Sequence, residues 1–350
     1  MDLIGVGVSV WDEVMSLHRM PGPDEVVRAL GRRGGIGGGV TVAMATAARL
    51  GVASAMVDRI GDDVAGHSVR DHLVDVGVNV DGLQTLAEHS TSVASIHSHP
   101  DGRSIVFSPG SASESTLPWT DEDRIVRRVG DARVLHANGR HADWLCHVLS
   151  RWGAERPFRI SFDGGAHRFR PEILPLVEQS DWLIVAREFY ERFLNHVSRA
   201  QPGLGNLAFA PEDREATLAA MQTVRQALGQ EVLGVTDGVG GSFFVTGTDA
   251  FHQPSFVIEV GESRGIDTTG CGDVFHGAFL AAMLRHPDGV THRPAEIHAR
   301  AVRHSVAIAS AVAAANAAGL GAFALPKSLQ VDFATGQVSV SGRAMRATVK

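Results

Sequence analysis

Asp267, Thr268, Thr269, Gly270, Cys271, Gly272 and Asp273 stand in a row and run straight into Val274-Phe275-His276-Gly277-Ala278-Phe279. Carboxylates, hydroxyls and glycines are thus packed just ahead of a stretch with helical apolar spacing. Gly270 and Gly272 let the backbone turn its N–H groups toward one point. A helix start adds unpaired N–H groups and a positive dipole end. Together these make a cradle for an anion. Asp273 sits at the cradle's edge, where bound phosphate would repel it unless it had a chemical task. The task that fits is taking a proton from a hydroxyl as that hydroxyl attacks a phosphoryl group. A plainer reading stays open at this point: a loop-to-helix cap, with Asp273 in the first turn for dipole reasons.

A second glycine cluster, Gly34-Gly35-Ile36-Gly37-Gly38-Gly39, precedes Val40-Thr41-Val42-Ala43 and ends one helix later at Leu50-Gly51. It permits close approach of backbone to a ligand, or simply a flexible loop and a small-residue helix packed on a sheet. No Gly-x-x-x-x-Gly-Lys-Ser/Thr motif occurs anywhere in the chain. A dinucleotide-binding Rossmann reading fits poorly. Gly5 and Gly7 follow the first strand, but no third glycine opens a helix at the right spacing.

The elements that must position these residues alternate. Strand-like runs at 3–8, 54–60, 134–137, 159–162, 182–185, 231–236 and 241–245 are interleaved with helical patterns at 42–50, 67–76, 142–152, 171–179, 187–197, 212–228, 274–284 and 295–317. That rhythm predicts a parallel α/β sheet. Two segments break it. Residues 11–35 hold Val26-Val27 between loop-like stretches, and 92–108 read as a hairpin around Pro100-Asp101-Gly102. Strands outside the rhythm predict a small antiparallel sheet projecting from the main body.

The chain has 350 residues, 44% hydrophobic, with net charge −7. Its pI of about 6.2 gives no electrostatic footprint for nucleic acid. No run approaches the roughly 20 apolar residues of a membrane span, and no signal-peptide core follows Met1. Cys146 and Cys271 are the two cysteines; the first lies in an apolar helical run and the second in the cradle, so a reducing cytoplasm fits. The 17 histidines show no repeated metal spacing; His97-x-His99 sits in the hairpin.

The 267–273 row resembles the second signature of the ribokinase-like (PfkB) carbohydrate kinases, Asp-Thr-x-Gly-Ala-Gly-Asp. Cys271 replaces the usual Ala, and it offers the same backbone N–H. The stretch from Gly37-Gly38 to Leu50-Gly51 is similar to the family's first signature. It departs where the family commonly has a sugar-binding Asn: this chain has Val42, with Thr41 beside it. At least one substrate hydroxyl is then read differently.

The resemblance implies an α/β three-layer sandwich with a central, mostly parallel sheet and a small antiparallel β lid. Residues 1–326 would form one domain, with the lid at about 11–35 and 90–110, and 327–350 a strand-like tail. The implied activity is ATP-dependent phosphorylation of a sugar hydroxyl, with Asp273 as base. The N–H groups of Gly270, Cys271 and Gly272 would stabilise the transferring phosphoryl group, aided by magnesium. Asp12, Gly37, Gly38, Gly39, Thr41 and Arg140 would face the sugar. Thr236, Gly238, Gly241, Thr268 and Asn316 would face the nucleotide. Glu188 would reach magnesium through water. Asp267 and Thr269, with the Gly319-Leu320-Gly321-Ala322 loop and the segment before Asp267, would hold a monovalent cation such as K⁺. A homodimer through the lid is implied as well, with no nucleic-acid or membrane partner. Arg140, after a strand at the sheet's carboxyl edge, suits an acidic or phosphorylated substrate. Phe275-His276-Gly277-Ala278 looks closest to the sulfofructose kinase branch, although Val27 or its neighbours occupy the place of that branch's lid lysine. A ketose, a sulfosugar, a sugar acid or a nucleoside as acceptor, and a catalytically silent binding protein, stay open.

Overall fold

A computed structural model describes residues 1–100, 102–200, 207–257, 266–290 and 299–348. Along the chain the strands are β1 (Leu3–Val6), β2 (Val10–Ser16), β3 (Gly31–Gly37), β4 (Ser54–Gly61), β5 (Asn79–Leu86), β6 (Ser92–His99), β7 (Gly102–Ser108), β8 (Val134–Ala137), β9 (Arg159–Gly164), β10 (Trp182–Ala186), β11 (Val232–Thr236), β12 (Ser242–Thr246), β13 (Ala250–Gln253), β14 (Leu329–Asp332), β15 (Gln337–Val340) and β16 (Arg343–Ala344). The helices are α1 (Gly39–Arg49), α2 (Val64–Asp75), α3 (Glu122–Gly130), α4 (Ala142–Leu149), α5 (Leu174–Glu178), α6 (Arg187–Ala200), α7 (Arg214–Leu228), α8 (Cys271–Arg285) and α9 (Ala299–Asn316).

Continuous apolar strands such as Leu3–Val6 need cover on both faces, which helices supply. The result is a nine-stranded sheet in the order β13-β12-β11-β10-β9-β8-β1-β4-β5. Every pairing from β11 to β5 is parallel; β12 and β13 turn back antiparallel. Residues from α1, α2, α8 and α9 share one core layer with the sheet. Residues from α3 to α7 share the other. This is the expected three-layer sandwich.

Helix α8 is buried continuously from Val274 to Leu284, because it is apolar all round and lies between α1 and α9. Gly277 lets it approach α1: a Cβ there would meet Ala43 O and, at 2.6 Å, Thr46 Cβ. That packing fixes where the α8 N-terminus points.

The lid is a four-stranded sheet, β3-β2-β6-β7. Its β2–β6 pairing is parallel, unlike the antiparallel β2–β3 and β6–β7 pairs. The cause is topological. Both strands leave the carboxyl edge of the large sheet, β2 after β1 and β6 after β5, so they run the same way. Val10, Val14, Ala94 and Ile96 form its small apolar core against Leu320. Val26 and Val27 lie in the β2–β3 connection, with Val26 exposed. Asp101, in the turn of the predicted hairpin, lies outside the described residues, as do 295–298 of the last predicted helix.

Residues beyond 327 make an antiparallel meander, β14-β15-β16. Leu329 and Val338 join the core layer of α8 and α9. Among the described residues no helix is long and apolar enough to cross a membrane.

Candidate active site

The parallel strands deliver their carboxyl ends to one edge, where open α/β sheets bind ligands. Asp12, Arg140, Glu188 and the Thr236–Gly241 turn all follow strands ending there. The N-terminus of α8 meets that edge from the neighbouring layer. Gly270 caps α8 at φ 70°, and a Cβ on it would run into Ala322 O and lie 2.6 Å from Ala322 Cα. Only glycine satisfies both conditions. Val274 N–H donates to Gly270 O (2.8 Å), and Cys271 N–H makes a longer bond to Thr268 O (3.3 Å). The N–H groups of Gly270, Gly272 and Asp273 have no protein acceptor among the described residues. They are the free donors of the cradle. The sequence assigned that role to Cys271 rather than to Asp273's own N–H.

Behind the cradle a polar brace holds the shape. Thr269 donates to Asp267 Oδ1 through N–H (2.9 Å) and O–H (2.6 Å), and Gly321 N–H donates to Asp267 Oδ2 (2.9 Å). Asn316 is fully buried; its Nδ2 donates to Thr269 O (3.4 Å) and Ala322 O (3.2 Å), and Ala324 N–H donates to its Oδ1 (2.7 Å). Its amide is therefore engaged inside the protein and presents nothing to a nucleotide base. Asp267 and Thr269 belong to the same brace, with Asp267 Oδ2 accepting one hydrogen bond, from Gly321. Part of the expected K⁺ site, at 258–265, lies outside the described residues. Burial pushes the Cys271 thiol up to about 12, so it stays neutral and adds no repulsion to a bound phosphate.

Asp273 lies in the first turn of α8. Gly39, at the start of α1, marks what surrounds it. A Cβ on Gly39 would lie 2.6 Å from Arg168 Nη1, 2.8 Å from Asp163 Oδ2 and 2.8 Å from Asp273 Oδ1. Three charged groups thus converge on one glycine. Burial, with Asp163 nearby and against the pull of Arg168, raises the Asp273 carboxyl from 3.8 to about 6. A carboxylate raised this far is a better base than an ordinary one and is still mostly ionised above neutrality.

On β2, Asp12 is buried and its carboxylate lies against Gly37 so closely that no Cβ fits between them. Burial and the nearby Asp273 and Asp267 carboxylates push Asp12 up to about 7. Its side chain accepts no hydrogen bond among the described residues, which leaves both carboxylate oxygens for a ligand's donors. Gly38 enters α1 at φ 85°. Thr41 and Val42 are fully buried. Thr41 Oγ1 donates to Val8 O (3.1 Å) and lies 3.2 Å from Ser9 Oγ. Thr41 therefore faces the core and fixes the β1–β2 connection, so neither residue stands in for the family's Asn. Arg140 is half-buried just beyond β8; its N–H donates to Asn138 Oδ1 (3.3 Å), and its guanidinium has no partner among the described residues.

Farther along the same edge, Thr236 ends β11, and Gly238 and Gly241 shape the turn to β12. Arg187 Nη1 reaches Asp237 Oδ1 in that turn (3.5 Å), which ties the α6 N-terminus to it. Glu188, next along α6, is exposed and has no partner among the described residues, whereas Glu191 is paired with Arg187 (2.9 Å). Thr268 is exposed and accepts a hydrogen bond from Arg103 on β7. No cluster of three metal-ligating side chains occurs among the described residues. Glu188 is the side chain that would hold a magnesium ion there, through water.

Sequence reasoning missed Asp163, Arg168 and Arg103. The first had a readable signal, a carboxylate just past a predicted strand at the binding edge. Arg103 had none, since only the folded hairpin brings it to Thr268.

The pfkB family carbohydrate kinase pattern matches residues 8–327. The chain belongs to that family: it is a phosphotransferase of the carbohydrate and nucleoside kinase class, acting on an alcohol group. An ATP-dependent ribose-1-phosphate kinase of Halopiger xanaduensis is 24% identical over 291 residues, spanning 82% of this chain and 86% of that protein. A fructokinase of Vibrio alginolyticus is 28% identical over 286 residues, spanning 77% and 82%. The ribokinase of Cryptococcus neoformans, solved with ADP, superposes with a TM-score of 0.70 at 20% identity, covering 92% of this chain and 95% of that one.

Proposed function

We propose that this kinase transfers the terminal phosphoryl group of ATP to a hydroxyl of a small anionic sugar, with Asp273 as the base. One observation carries the reading: the free N–H groups at the α8 N-terminus lie beside a carboxylate raised to about 6. The sugar hydroxyl loses its proton to Asp273 as its oxygen attacks phosphorus. The N–H groups of Gly270, Gly272 and Asp273 take the charge that develops on the phosphoryl oxygens. Magnesium, when bound, draws further charge from those oxygens. Asp12 accepts from two acceptor hydroxyls and orients them. Arg168 and Arg103 supply positive charge at the rim.

The anionic character of the acceptor rests on Arg140, a half-buried guanidinium at the binding edge that has no partner among the described residues. A sugar phosphate, sugar acid or sulfosugar would pair with it bidentately. A panel of ribose, fructose, ketodeoxygluconate, sugar phosphates, sulfofructose and nucleosides, read by ADP release, tests this. An anionic sugar is expected to give the highest kcat/KM, and Arg140→Met to raise its KM by about 10²-fold, the value of a charged hydrogen bond. Neutral ribose or fructose outperforming every anionic member would contradict the proposal.

Asp273 must be ionised to act as a base. The acid limb of kcat/KM is therefore expected near pH 6, with activity lost as pH falls through that value. A limb near 4 would mean that the carboxyl is not the buried group described above.

Among the described residues the lid has an unpaired edge at β7, where Ile105, Val106 and Phe107 are exposed. We expect two copies to pair there. Light scattering should give twice the chain mass, and Val106→Lys should reduce it to one.

A further inference from the structure

Behind Asp273 lies a set of buried charges that proton transfer alone does not require. Asp163, near the end of β9, is only 4% exposed. Arg168 Nη1 donates to its Oδ2 (2.9 Å), and His276 Nε2 lies 3.3 Å from its Oδ1. His276 is one helical turn beyond Asp273 on α8 and is itself buried. Behind it, the ring of His136 on β8 lies 5.3 Å away, and its Nδ1 is 3.2 Å from Ser161 Oγ. The chain thus runs from the β8–β9 core through His276 and Asp163 to Arg168, and from Arg168 to the point where Asp273 meets Gly39. An anion buried this deeply beside another is costly unless both are held by cations.

We propose that Asp163 and His276 are a positioning pair, which holds the Arg168 guanidinium beside Asp273 and sets how basic that carboxylate is. The proposal rests on the reading of Asp273 as the base, and it adds the device that tunes it. Asp163 repels negative charge on Asp273, so it raises that group's proton affinity. Arg168 and His276, and Arg103 from β7, lower it. Asp12 on β2 is the other carboxylate that feels Asp273. His136 is pushed down to about 3 by burial and by His276, so it stays neutral and takes no part in the balance. The two members of the pair therefore act on Asp273 with opposite signs.

The test needs no substrate. Aspartate labelled with ¹³C at the carboxyl is followed by NMR through pH 4–9, and the Asp273 signal is identified by its loss in Asp273→Asn. In Asp163→Asn, whose amide oxygen still accepts from Arg168 while the negative charge is gone, the Asp273 midpoint is expected to fall by about one pH unit, and in His276→Asn to rise by a similar amount. Arg168→Gln, which keeps a donor for Asp163 at a side chain that is 38% exposed, is expected to raise it as well. This keeps the test alive should a buried variant fail to fold. Midpoints that move the same way in Asp163→Asn and His276→Asn, or an unmoved midpoint in Arg168→Gln, would overturn the pair. Because the readout is a titration, an enzyme without turnover on any sugar would sink the kinase reading and leave this result standing. With turnover, the acid limb of kcat/KM should track the NMR midpoints, and in Asp163→Asn and His276→Asn the KM for ATP should stay within about twofold.

Discussion

Asp273→Asn is expected to lower kcat with the best acceptor by roughly 10²–10⁴-fold, while calorimetry finds ATP affinity nearly unchanged. The substitution keeps size and shape, so the α8 turn and its free N–H groups survive. What disappears is the site for the sugar's proton. It also removes one negative charge facing the nucleotide, which favours ATP binding slightly. The loss should therefore fall on kcat alone. A variant within about tenfold of the parent would mean that another group takes the proton. Asp12 is the carboxylate to examine in that case, since it is raised to about 7 and feels the charge of Asp273.

Gly270→Ala should have the second-largest effect, through the other half of the site. The residue needs φ 70°, and the new Cβ would enter the space held by the Ala322 backbone. The left-handed conformation alone costs about 1–2 kcal/mol for a residue with a side chain. The clash is worse, because Ala322 O is itself bonded to the buried Asn316 amide and cannot step back cheaply. The cradle must open. A fall of roughly 10²–10³-fold in kcat, the cost of losing an oxyanion-type donor, is expected together with weaker ATP binding. Gly272→Ala is the control. Nothing lies within 4 Å of its Cβ, so its melting temperature should stay at the parent value while that of Gly270→Ala falls.

The cradle was legible because it is local: glycines, a helix start and one carboxylate lie within a single turn of sequence. The parallel sheet was legible because its strands are buried on both faces and so read as unbroken apolar runs. Strand β5 was not, since Gly82 and Asp81 interrupt its pattern, nor was α3, whose short amphipathic stretch is mostly charged. Side-chain direction was the harder matter. Thr41 and Asn316 sit where the family pattern places ligand contacts, yet both point inward, because α1 and α9 pack those faces against the sheet and the 319–324 loop. Asp163 and Arg168 escaped notice for the complementary reason. Their meaning depends on α1 and α8, which the sheet topology brings to the β9 edge from distant parts of the chain. The C-terminal meander was visible only as strand-like residues; its docking on α9 depends on an apolar helix face that also reads as buried without it.

The most direct measurement is a crystal structure with a non-hydrolysable ATP analogue and magnesium. The γ-phosphate is expected within hydrogen-bond reach of the Gly270, Gly272 and Asp273 N–H groups, with the Asp273 carboxylate facing the open side toward Asp12. A γ-phosphate seated elsewhere along the sheet edge, with those three N–H groups on water alone, would contradict the assignment of the α8 N-terminus as the phosphoryl-transfer site.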